Sequence, residues 1–163
     1  MPRLPADLED VLARYVRGPG LVREAVNGAG PGVISRAGSG GWSVRDVLVH
    51  LADAELVRAS RLRFMLAEEE PPALPGFDEG RWKRRLQYLW RSPEAALALY
   101  DALVFSNAEL LRQFPAEAFA RDGMVDGERV TVAELLRRGA AHSEEHADQI
   151  RALRAELGDR PGR

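Results

Sequence analysis

A chain of 163 residues with 45% apolar and 29% charged side chains has the composition of a soluble globule and can bury one sizeable core. Its formal net charge of −2 excludes a general attraction to phosphate backbones or anionic bilayers, so neither nucleic acid nor membrane is an expected partner. The lack of cysteine excludes disulfides and a protein thiolate, so any thiol in the chemistry must be a substrate.

No apolar run approaches about 18 residues and the first ten lack the apolar core of a signal peptide, which makes the cytoplasm the expected location. In chain order, residues 8–26 have a helical pattern interrupted at Gly18-Pro19-Gly20, which should kink the helix or split it in two. Residues 28–41 turn to Gly, Ser and Pro and read as a loop. Trp42 then offers an apolar ring to staple a helix start capped by Ser43. That second helix is predicted to run to the Pro71-Pro72 break, with Val44, Val47, Leu48, Leu51, Ala54, Leu62 and Met65 in one stripe and His50 at its margin.

A proline-broken crossing follows, carrying a short helix from about residue 78 to residue 89. Ser92-Pro93-Glu94 opens a third long helix, where proline at the first helical position costs no hydrogen bond, and Pro115 stops it. Asp126-Gly127, flanked by Met124-Val125 and Val130, fits a small two-stranded turn. The last helix covers residues 131–157: Thr131 and Glu134 form a T-x-x-E capping box at its start, and Gly158 ends it. The pattern predicts an all-α four-helix bundle in one domain, residues 1–163, with a long crossover carrying a short extra helix between helices two and three.

The chain has three histidines. His142 and His146 are four apart on the last helix, so their Cβ atoms stand roughly 6 Å apart on one face. Both fall inside the apolar stripe of Val132, Leu135, Leu136, Ile150, Leu153 and Leu157 and point inward. Together with His50 they suit a metal site: three neutral imidazoles with an open position is the arrangement of catalytic zinc, whereas structural zinc takes four protein ligands. Nickel, iron and manganese also accept imidazole. The competing reading is that each histidine is a satisfied core residue. A zincin-type protease is excluded because neither Glu144 nor Glu145 directly follows His142, where an H-E-x-x-H base would stand. No carboxylate reads as placed to replace a lost imidazole.

Asp53, three residues after His50, could hold an imidazole N–H or a bound water, with an exposed surface charge as the alternative. Gln149 lies near His142 on the helical wheel, where its amide could contact a ligand or simply fill space. The stretch Arg81-Trp82-Lys83-Arg84-Arg85, with Tyr88, Trp90 and Arg91, mixes base and aromatic as single-stranded nucleic-acid binders do. Glu68, Glu69, Glu70, Asp78 and Glu79 lie close in sequence and are expected to neutralise it, with Trp82 packed inward.

These residues carry a resemblance over nearly the whole chain. Gly41-Trp42-Ser43-Val44-Arg45 leads into His50-Leu51-Ala52-Asp53, then come Arg61 and Leu66-Ala67-Glu68-Glu69, Phe77-Asp78-Glu79 and Trp82, and finally His142 and His146 before Gln149-Ile150. In this order and spacing the sequence resembles the DinB/YfiT-like family of metalloenzymes, nearest its YfiT-like, bacillithiol S-transferase-related branch. The resemblance implies a four-helix bundle, a divalent metal on His50, His142 and His146, zinc or nickel first with iron or manganese as alternatives, and a homodimer. It also implies a transferase that conjugates a low-molecular-weight thiol, such as bacillithiol, to small electrophiles. A metal-dependent hydrolase using activated water and a non-catalytic dimer stapled by metal are the other readings. The glycine-rich stretch 28–41 and the Gly18-Pro19-Gly20 interruption depart from the family pattern.

Overall fold

The computed structural model describes residues 4–159. Its frame is four long helices, α1 (Ala6–Val26), α3 (Val44–Ala67), α5 (Pro93–Leu111) and α6 (Val132–Glu156), with the short α2 (Pro31–Ser35) and α4 (Glu79–Arg85) between them. α1 packs chiefly on α6 and α3 on α5, while contacts of α3 with α6 and of α1 with α5 close the ring. The result is a four-helix bundle around one core cluster in which Tyr15, Leu62, Leu111, Leu136 and Ile150 are almost fully buried.

α1 is one continuous helix through Pro19, not two. The helix forgoes the hydrogen bond a proline cannot donate, and the interruption has a packing use. A Cβ on Gly18 would lie 2.5 Å from Ser143 Oγ, so only glycine lets α1 approach α6 this closely. The stretch 28–41, expected as loop throughout, contains α2, with Pro31 at its first position.

The capping box forms at α3. Ser43 Oγ accepts from the Asp46 N–H at 3.1 Å, and the Asp46 carboxylate accepts from the Ser43 N–H at 3.0 Å. At α6 only half of the anticipated box is present: Thr131 Oγ1 accepts from the Glu134 N–H at 3.1 Å, but the Glu134 carboxylate accepts from Arg138 Nε at 2.9 Å. α6 closes at Gly158, whose φ of 76° lets the Asp159 N–H reach the Arg154 carbonyl at 2.9 Å.

α3 ends at Ala67, before the prolines, and is not simply amphipathic: residues 46–55 are buried on every side. α5, α6, α4 and a 3-10 turn at Tyr88–Trp90 surround this half of the helix, so His50, expected at a stripe margin, is only 2% exposed.

The expected two-stranded turn is present as β2 (Asp122–Val125) and β3 (Glu128–Thr131), antiparallel, with Asp126 and Gly127 at φ of 50° and 86° as a two-residue turn requires. A further strand, β1 (Ala73–Leu74), unexpected between the prolines of the crossover, joins β2 in parallel register. Gly76 N–H donates to Asp126 Oδ1 at 3.0 Å, and Arg121 Nε donates to the Met65 carbonyl at 2.8 Å. The first bond, with the β1–β2 pairing, ties the crossover to the hairpin, and the second ties the residue before β2 to the end of α3.

Candidate metal centre

His50 comes from the buried half of α3, and His142 and His146 from the face of α6 that packs on it. His142 Nε2 lies 3.0 Å from His50 Nε2 and 3.0 Å from His146 Nε2. One ring nitrogen from each lies within 4.8 Å of the others. A tetrahedral ion with Zn–N bonds of about 2.05 Å would separate its nitrogens by about 3.3 Å, close to this spacing. The His142 and His146 rings stand at 90° to each other with their Nε2 atoms together.

The protonation states suit ligation. His146 Nδ1 is 2.7 Å from Gln149 Oε1, an acceptor, so the proton sits on Nδ1 and the Nε2 lone pair faces its neighbours. Burial first, then electrostatic coupling to His146 and to the Arg58 cation, bring the His50 pKa down to about 4. Burial, followed by His146, Arg58 and His50, brings His142 down to about 2. Both are neutral at pH 7, the form a metal ion takes. Convergent imidazole nitrogens with no acid between them form a donor set that fits a divalent cation.

Aromatic residues wall the cluster. The Trp42 ring meets His50 edge-on with centroids 5.7 Å apart, and Phe77 lies 6.3 Å from His50 and 4.6 Å from Trp82. Trp42 thus serves the site as well as the helix start. Beside His50 and His142 is a cavity of about 180 Å³, enclosed in part by Ala54, Phe77, Val125 and Leu135. At about 30 Å³ per water it has room for a small ligand only. A larger groove of about 890 Å³ along residues 60–75 includes none of the histidines.

Of the other residues singled out in the sequence, Gln149 reaches the cluster and Asp53 does not. Asp53 Oδ2 accepts from Arg91 Nη1 at 2.7 Å, and His50 Nδ1 is buried with no hydrogen-bond partner, so Asp53 holds no imidazole proton. Its carboxylate is held instead by Arg91, the residue that ends the 3-10 turn. The base-aromatic stretch is split. Tyr88 is fully buried, Trp82 partly so, and Trp90 is 79% exposed. Two of its cations pair with α3, Lys83 with Asp46 at 3.2 Å and Arg91 with Asp53, not with the glutamates of residues 68–70.

Sequence reasoning missed a carboxylate at the cluster. Glu79 Oε2, on the first turn of α4, lies 3.6 Å from His50 Nε2. It also missed three arginines that line the cavity, Arg58, Arg61 and Arg138. Spacing could have suggested two of them. Arg61 follows His50 by eleven residues, three helical turns along one face, and Arg138 precedes His142 by four. Nothing in the sequence places Glu79, because the crossover, not a helical period, brings it in.

Bundle and cluster together define a helical-bundle protein whose three convergent imidazoles fit a divalent metal ion. Comparison with known families agrees with that class. The chain belongs to the DinB superfamily, whose family model matches residues 6–150. A Bacillus licheniformis protein named as a candidate metal-dependent hydrolase is 31% identical over 122 residues, 74% of this chain and 69% of that one. The structure of YfiT from Bacillus subtilis, described as a probable metal-dependent hydrolase with an unusual four-helix bundle topology, superposes with a TM-score of 0.86. It is 26% identical, and the match covers 97% of this chain and 93% of YfiT. A mycothiol-dependent maleylpyruvate isomerase shares the fold at a TM-score of 0.73 and 16% identity, over 90% of this chain and 61% of its own.

Proposed function

We propose that this chain is a metal-dependent enzyme joining a low-molecular-weight thiol to a small electrophile at the cluster of His50, His142 and His146. The observation that carries this reading is the convergence of three imidazoles, two of them held neutral by burial, beside a small cavity that Glu79 also lines. A divalent ion held by the three Nε2 atoms would supply positive charge that favours the ionised form of a thiol or water next to it.

The chain's own residues do the rest. Gln149 holds the His146 proton on Nδ1 and so keeps its Nε2 available. Glu79, 62% exposed along its side chain, stands at the open side of the cluster and can take the proton of an entering S–H group. Phe77, Trp42 and Trp82 wall the imidazoles on the protein side, while the carboxylate stays open to solvent and can pass a proton on to it. In a substitution, the C–S bond forms as the bond from carbon to leaving group breaks. The thiol proton passes to Glu79 and then to solvent with the departing anion. The chain contributes no cysteine, so the sulfur belongs to a cosubstrate.

The designations of the relatives favour a second reading, hydrolysis, in which water replaces the thiol and Glu79 takes a water proton. One experiment separates the two. Metal-loaded protein, with metal content checked by elemental analysis, is offered a general electrophile and an ester, with and without a panel of cellular thiols. Thioether formation that requires both metal and thiol, and that falls in His142→Ala and Glu79→Gln, supports the transferase. Thiol-independent ester cleavage lost in His142→Ala would establish the hydrolase in its place.

A further inference from the structure

The cavity beside the cluster is cationic. Arg58, Arg61 and Arg138 line it, and its one carboxylate, Glu79, belongs to the cluster side. From this crowding of guanidinium groups we infer that the cavity binds the carboxylate of a small anionic substrate, with Arg61 as the principal contact. The inference rests on the proposed function only in treating the cavity as the substrate site.

Arg58 is built into its place. Glu55, 1% exposed, holds the Arg58 Nη1 and also accepts from the Tyr15 hydroxyl and from Asn107 Nδ2, the last at 2.9 Å. Asn107 Oδ1 in turn accepts from Arg63 Nη1 at 2.7 Å. Gly139 leaves the guanidinium its space, since a Cβ there would lie 3.0 Å from Arg58 Nε and 2.9 Å from the Tyr15 ring. Glu55, itself held by Tyr15 and Asn107, thus fixes one cation at the wall of the cavity.

Arg61 is the cation without a counter-ion. Its Nη2 donates to the Pro75 carbonyl, its Nε is buried with no hydrogen-bond partner, and among the described residues it forms no ion pair. The acid that acts on it electrostatically is Asp126, whose Oδ1 is occupied by the Gly76 N–H. Burial, and then the like charge of Arg58, with Arg138 adding less, lower the Arg61 pKa. A guanidinium that lines the cavity without an ion pair, next to two further cations, is stabilised by an anion that accepts from it. Arg138, 53% exposed and shared with Glu134, sits at the mouth and can draw such an anion inward. A planar carboxylate matches the fork of a guanidinium in two parallel bonds, and a cavity of about 180 Å³ restricts the ligand to a few carbons.

The test uses three probes on metal-loaded protein, followed by calorimetry: mercaptosuccinate, the uncharged thiol 2-mercaptoethanol, and succinate, which has no thiol. Mercaptosuccinate is expected to bind at least about tenfold tighter than 2-mercaptoethanol, and Arg61→Gln to remove that advantage while 2-mercaptoethanol and metal affinity stay unchanged. Arg61→Lys should restore part of it, since the charge returns without the fork. Circular dichroism and metal content of each variant identify any that fail to fold, and Arg138→Gln, at the mouth, then serves as the second variant with a smaller loss. Equal affinity of wild type and Arg61→Gln for both mercaptosuccinate and succinate would overturn the inference. Succinate binding that depends on Arg61 in a protein showing no thiol chemistry would uphold the cavity assignment and reject the transferase alone.

Discussion

Replacing Glu55 by Gln should destabilise the metal-free protein by about 3 kcal/mol without opening any cavity. The side chain is 1% exposed and accepts from Tyr15, Asn107 and Arg58, so its two oxygens serve three donors. Glutamine has the same volume but only one acceptor oxygen. If that oxygen stays with Tyr15 and Asn107, the amide NH₂ faces the Arg58 guanidinium, donor against donor. Arg58 cannot recover its loss from water, because its side chain is only 11% exposed. Breaking a buried ion pair on one side costs about 3–5 kcal/mol, and the partial access of Arg58 to the cavity argues for the lower end. With a urea m-value of about 2 kcal/mol/M, the midpoint should fall by about 1.5 M. In a double-mutant cycle with Arg58→Met, the pair should be less destabilised than the sum of the singles by about 2 kcal/mol. A midpoint shift under about 0.5 M, or strict additivity in the cycle, would refute the account of Glu55 as the anchor of Arg58.

Single replacements of His50, His142 or His146 by Ala should each abolish tight metal binding measured by competition with a chelator, while circular dichroism shows the bundle intact, since the core lies largely outside the cluster. Gln149→Met should keep one bound ion per chain but weaken it by roughly 10- to 100-fold, by releasing the His146 tautomer. Gly18→Ala should cost about 1–3 kcal/mol in the same urea assay, because its Cβ would meet Ser143 Oγ at 2.5 Å and push apart the Ser143–Tyr100 hydrogen bond of 2.6 Å. All three tyrosines of the chain are buried, and burial raises each phenol pKa: Tyr100 to about 12, Tyr15 and Tyr88 upward as well. Phenolate absorbance should therefore stay low in folded protein above pH 10. The folded state holds its phenol protons after the unfolded chain has released them, so this contribution to stability is complete below pH about 10 and is lost as the pH rises toward and past 12. In the metal-free protein the sign is opposite at the acid end. The unfolded chain takes up imidazole protons near pH 6.5 that His50 refuses until about 4, so stability should fall as the pH drops through that interval, as NMR of the imidazole carbons can follow.

The sequence by itself determined the helices and the metal-ligand candidates. Ser43 and Thr131 are caps, Pro93 and Gly158 are boundaries, and an i, i+4 pair of histidines on an apolar stripe faces inward, because each signal acts within one or two turns of chain. It also showed a hairpin at Asp126-Gly127, where left-handed backbone is a local demand. Only the tertiary structure decided what surrounds those histidines. Residues 46–55 are buried on all sides because α3 has neighbours on every face, which no single-helix periodicity records. Asp53, three residues from His50, was drawn away by Arg91, while Glu79, twenty-nine residues from it, was brought to 3.6 Å by a crossover that a two-residue strand pins to the hairpin. The cationic wall arose in the same way: Arg58 and Arg61 on one helix and Arg138 on another share a cavity only once α3 and α6 pack. Local chemistry writes elements and caps, but the distances between side chains on different elements are set by the packing of the whole core, and this site is made of such distances.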